Sequence, residues 1–213
     1  MCKAVPIKDV NFSPCVGSKY RESELKLLIL GESHYGKGGA EDLSEITVAA
    51  VGEGKHRFFA SVRRLLDGGE DFWEEVAFYN YVQELAGCRA RQRPTDEMWA
   101  CSHAAFGLVL RKLQPDRILV LGKTTWLNMA DEEQDYQGCN PVMEQSFKLG
   151  PDFVRNMRKE WDEFRYACWY PTARGKYALT AGVFHPGYPR GFSLPETKRV
   201  ARRLLNTSWR PPA

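Results

Sequence analysis

The chain has 213 residues, 43% of them hydrophobic and 27% charged, with a formal net charge of +3. That length can bury one sizeable core without disulfide staples, and no apolar run comes near the length needed to span a bilayer. The charge is too small to identify a nucleic-acid partner by itself.

A single domain, 1–213, is the economical reading of an ordinary globular composition. Met1 to Lys8 lacks the apolar core of a signal peptide, so the default expectation is a cytoplasmic protein. Cys2, Cys15, Cys88, Cys101, Cys139 and Cys168 contain no CxxC pair. Reduced thiols are expected, and neither a zinc site nor any other metal site is. His34, His56 and His103 lack ligand spacing. Charge is unevenly spread. From Pro171 onward eight basic residues face the single acid Glu196, so this tail carries +7 and the rest of the chain −4. A cationic C-terminal face suits a polyanion such as DNA, although Lys198 to Arg203 also fits a solvated helix face.

In chain order, residues 1 to 24 carry Pro6 and Pro14 and no period, and read as an irregular wrap around the domain edge. Lys26 to Leu30 is the first strand, an apolar run closed by Gly31. Ala40 to Val51 is compatible with helix, and His56 to Leu66 has helical spacing ended by Asp67-Gly68-Gly69. Val76 to Val82 is aromatic and β-branched and reads as the second strand. Its Asn80 needs a partner there, because a buried amide left unpaired is costly. Arg89 to Pro94 is a basic turn, after which Thr95 caps a helix to Leu113. Arg117 to Leu121 is the third strand, and Lys123 to Leu127 opens a helix. Asp131 to Gly150 is acidic and aperiodic, a surface insertion. Phe153 to Tyr166 has helical spacing, Tyr177 to Phe184 is the fourth strand, and Pro195 to Leu205 is the last helix.

Alternating strands and helices predict an α/β fold, a three-layer sandwich with a central four-stranded parallel sheet flanked by helices. Ligands bind such sheets in the crevice beyond the strands' carboxyl ends. Three loops there carry convergent polar groups: Glu32 to Tyr35, the surroundings of Asn80, and His185 to Arg190.

The order of these motifs resembles the uracil-DNA glycosylase superfamily over roughly residues 25 to 205. Gly31-Glu32-Ser33-His34-Tyr35 is similar to its first motif, and His185-Pro186-Gly187-Tyr188-Pro189-Arg190-Gly191 to its last loop. Phe78-Tyr79-Asn80-Tyr81-Val82, then Pro94-Thr95-Asp96-Glu97, then Leu121-Gly122-Lys123-Thr124 are similar to the thermostable bacterial and archaeal branch. The chain departs from that branch in its cysteines. Cys15, Cys88 and Cys101 are the only candidates for an iron–sulfur cluster, and Cys15 lacks its CxxC neighbour, so no cofactor is expected. Ser33 stands where the uracil-removing branch has Asp, and Gly187 where a small Ser is usual.

The resemblance implies a DNA-binding monomer, on single or double strands, that flips out uracil or a related damaged base and hydrolyses its bond to the sugar. Glu32 would stabilise the oxocarbenium-like sugar and orient water, and His185 would donate to the departing base. Ser33, Tyr35, Phe58 (or Phe59) and Asn80 would form the base pocket; Pro186, Gly187, Tyr188 and Arg190 would contact DNA. Three other readings compete. One is the same fold binding nucleic acid or a nucleotide without cleavage. Another is a serine hydrolase with Ser33 as nucleophile, whose usual Asp-x-x-His is missing before His185. In the third, Glu32 is only a first-turn helix acid and His185 only a loop residue bonded to backbone.

Overall fold

A computed structural model describes residues 1–37, 39–54, 56–87, 92–130, 141–144, 147, 167–187, 193–206 and 208. Chain order gives β1 (Cys2–Ala4), β2 (Cys15–Gly17), β3 (Leu27–Gly31), α1 (Ala40–Glu53), α2 (Arg57–Leu65), α3 (Phe72–Glu75) and β4 (Ala77–Asn80). After these come α4 (Asp96–Leu113), β5 (Arg117–Leu121), α5 (Lys123–Leu127), β6 (Val142–Glu144), β7 (Ala167–Ala173), β8 (Lys176–Val183) and α6 (Leu194–Asn206).

Every residue of β3 is buried, as a strand covered on both faces demands. Thr95 caps α4, its hydroxyl accepting from the Met98 amide at 3.4 Å, and acids in the first turn with bases in the last suit the helix dipole. Gln114 closes α4 in the left-handed region and Pro115 prevents its continuation.

The sheet is ordered β1-β2-β4-β3-β5-β8-β7-β6. Three parallel ladders join β4, β3, β5 and β8, and four antiparallel ladders add β2 and β1 on one side and β7 and β6 on the other. The fold is thus α/β, but the expected four-stranded parallel sheet is corrected: among the described residues the sheet is mixed and has eight strands. Residues 1 to 24 are likewise not wholly irregular, since β1 and β2 extend the sheet from within them. Their three-residue length gave no period to read. β7 was missed because Pro171 interrupts it. This proline sits at a register shift against β8 and beyond the reach of β6, where a missing N–H costs no ladder bond on the outer side. Part of the expected surface insertion is strand β6. The expected helix Phe153 to Tyr166 lies outside the described residues.

Leu28, Ile29 and Leu30 of β3 and Ile118, Leu119 and Val120 of β5 are fully buried at the centre of the core. Beside them Phe59 meets Phe78 and Trp73 edge to face, at 5.1 and 5.5 Å, contacts worth about 0.5–1.5 kcal/mol each beyond burial. This cluster fixes α2, the helix that carries Phe58. Lys198 and Arg202 of α6 pair with Asp67 in the turn that ends α2. Part of the basic C-terminal face is therefore spent on a helix contact. No helix among the described residues is long and apolar enough to cross a membrane.

Candidate functional site

The loop after β3 stays zipped to the loop after β4. The Tyr81 amide donates to the Gly31 carbonyl (3.0 Å), Val82 to Glu32 (2.9 Å) and Ala86 to His34 (3.2 Å), while Gly36 donates to Gly87 (3.0 Å). Backbone pairing thus continues past the strand ends and holds the polar residues on a rigid support. Gln83, buried beneath, ties three segments together. Its Oε1 accepts from the Phe12 amide (2.9 Å), its Nε2 donates to the Asn80 carbonyl (3.1 Å), and its own amide donates to Ser102 Oγ on α4 (3.0 Å).

Over this support lies a cavity of about 630 Å³, at the carboxyl ends of β3, β4, β5 and β8. Glu32, Ser33, Tyr35, Phe58, Asn80, His185 and Gly187 all line it. The volume falls within the range of small-molecule sites, about 300–1,000 Å³. Pro186 is half-buried in the last loop but does not line the cavity, and Tyr188 and Arg190 lie outside the described residues.

Glu32 is in a loop and not in the first turn of a helix, since α1 begins at Ala40. Both its oxygens are engaged. Tyr35 Oη donates to Oε1 at 2.9 Å, and the Arg93 guanidinium lies 3.1 Å from Oε2. The carboxylate side chain is 15% exposed and the arginine 67%, so a mostly buried carboxylate is paired with a solvated cation. Burial pushes the Tyr35 phenol above its ordinary pKa, which keeps it a proton donor to Glu32.

His185 accepts from the Gly187 amide at Nδ1, 3.0 Å away. An amide can only donate, so Nδ1 carries no proton and the neutral ring carries its proton on Nε2. Burial, with the positive charge of Arg93 beside it, lowers the pKa of His185 and favours this neutral form. The imidazole stacks on Phe58, centroids 5.2 Å apart and planes 18° from parallel. One face of the expected base platform is therefore covered by the imidazole itself.

Asn80 ends β4, half-buried, with Nδ2 3.1 Å from His34 Nε2. Burial lowers the pKa of His34 to about 4, so near neutrality it is uncharged and accepts from the amide. Asn80 Oδ1 lies above Gly31, where any Cβ would come within 2.3 Å of it. Glycine at 31 is thus a packing requirement of the amide.

Ser33 Oγ is buried, and among the described residues no His, Asp or Glu side chain is hydrogen-bonded to it as a serine nucleophile would need. Cys15 is buried in β2 and Cys101 exposed on α4, while Cys88 lies outside the described residues. Among the described residues no three His, Cys, Asp or Glu side chains are grouped to hold a metal ion.

Sequence reasoning missed Arg93 and Gln83, and it placed His34 in the polar loop without its partner Asn80. Arg93 had a signal only as one cation of a basic turn. The role of His34 depends on the parallel register of β3 and β4, which sets Gly31 beside Asn80. No family model matches the chain, and no curated protein matches it.

Proposed function

We propose that the chain is a DNA glycosylase of the uracil-DNA glycosylase type, which flips uracil or a related damaged base into this cavity and hydrolyses its N-glycosidic bond. One observation carries the reading: Glu32 and His185, from opposite ends of the sequence, line one cavity of ligand size together with Asn80. The resemblance of the motifs, and with it the glycosylase fold and a cytoplasmic setting, is part of the same proposal.

In the reaction a water oxygen bonds to the sugar C1′ as the bond from C1′ to the base nitrogen breaks, its electron pair leaving with the base. The Glu32 carboxylate stabilises the cationic sugar and holds the water, taking its proton. Neutral His185 presents Nε2–H to the base oxygen on which negative charge develops. Asn80, one N–H spent on His34, offers its second N–H and Oδ1 to the edge of the base. A DNA phosphate at the mouth gives Arg93 an alternative anion, which frees Glu32 Oε2 for the water.

The same engagement of both Glu32 oxygens, with the covered face of Phe58, favours a second reading: a module that binds nucleic acid or a nucleotide without cleaving it. A panel of oligonucleotides separates the two, each carrying one altered base, treated with protein and then with alkali. Strand breaks confined to the uracil strand, or to one damaged base, support the enzyme. A gel shift with no breaks on any strand supports the module and rejects the enzyme.

A further inference from the structure

The far end of the sheet holds a second cavity, about 640 Å³, that shares no lining residue with the first. Its residues come from the amino ends of the parallel strands, with Lys26 before β3, Arg117 opening β5 and Lys176 opening β8. Five strand residues at about 3.3 Å each put roughly 17 Å between the two ends. One bound base cannot occupy both.

The charge in this cleft is lopsided. Arg21, Lys26, Lys112, Arg117 and Lys176 line it, against the single carboxylate of Asp116. Asp116 Oδ2 accepts from the Lys26 amide at 2.9 Å, and its charge acts on the neighbouring Arg117, so it offsets one cation of the five. Arg117 is held as well, donating to the Leu204 and Asp116 carbonyls at 2.9 and 2.8 Å. Lys176 reaches only the neutral Gln114 Oε1, at 3.4 Å. Arg21, Lys26, Lys112 and Lys176 form no ion pair with a carboxylate among the described residues. Lys19 differs from them in that it pairs with both Asp71 and Glu74. Lys112 also suits the negative end of α4, which accounts for one cation and leaves the others unexplained.

Gathering unpaired like charges in a concave site costs free energy, about 0.5 kcal/mol per pair at 8 Å even in water. A multiply charged anion removes that cost; a single carboxylate would leave most of it. Tyr177 and Pro115 supply apolar wall beside the cations. We propose that the cleft binds a multiply charged phosphoryl anion of diphosphate or triphosphate size, either free or as the phosphate chain of a nucleotide.

The test is calorimetric titration of the full chain with sodium pyrophosphate and, separately, with ATP. Lys112→Ala combined with Lys176→Ala is the test variant and Lys3→Ala the remote control; all three sites are exposed, and melting temperature checks the fold. Saturable binding is expected, weakened about tenfold or more in the double variant, unchanged in the control and falling as salt rises. Equal affinity for the two probes assigns recognition to phosphate alone; tighter ATP binding adds a contact to the nucleoside. No saturable heat with either probe up to about 10 mM, or a double variant that binds as wild type does, overturns the proposal. Neither arm depends on whether the first cavity cleaves DNA.

Discussion

His185 and Gly31 show how much one atom decides at this site. The Gly187 amide forces the His185 proton onto Nε2, so nitrogen NMR of the imidazole should report the Nε2–H tautomer at pH 7. Its titration should lie below the ordinary histidine value of about 6.5. A Nδ1–H ring, or a midpoint above 6.5, contradicts the proposed donor. At Gly31 a methyl group would sit 2.3 Å from Asn80 Oδ1 and 3.0 Å from the Phe78 ring. Gly31→Ala should lower unfolding free energy by about 1–3 kcal/mol in urea and displace the Asn80 amide, weakening base binding. A fully stable variant with unchanged binding would show that the amide does not need this close approach.

Among the elements, α4 and α2 act as braces for loops they do not belong to. Ser102, fully buried on α4, accepts from the Gln83 amide and so holds the loop that follows Asn80. Ser102→Ala strands that buried N–H and should cost about 1–3 kcal/mol in a urea titration. A change smaller than a few tenths would mean that the amide finds another partner. At this scale the legible parts were those whose burial is uniform. β3 reads as a strand because both its faces are covered, and α4 because a capping Thr and a terminal proline bracket it. β1, β2 and β6 are three residues long, too short for any period to register. The polar site residues were legible because they follow buried strands; the pairings of Glu32 with Arg93 and of Asn80 with His34 were not, since the first needs the path of a basic turn and the second the register of two strands.

For the molecule as a whole, the parallel core gives two ends with different chemistry: an apolar cavity with paired polar groups beyond β3 and β8, and a cationic cleft at their starts. Acid should destabilise the fold through its buried imidazoles. His34 titrates near 4 when folded and about 6.5 when unfolded, so between these values the unfolded chain binds more protons. Stability from this group is complete above pH 6.5 and falls as pH drops toward 4, by about 3 kcal/mol in all. His185, lowered by burial and Arg93, adds in the same direction. His34→Asn should flatten the pH dependence of the urea midpoint between pH 6.5 and 4; an unaltered slope would assign the effect elsewhere.

The central claim is that a carboxylate and a neutral imidazole act on one nucleobase across one cavity. It is tested most directly by single-turnover base release from a uracil-containing strand, wild type against Glu32→Gln, with DNA affinity measured alongside. The account predicts a loss of about 10²- to 10³-fold in release with affinity changed no more than a few-fold. Release by Glu32→Gln at the wild-type rate would contradict it.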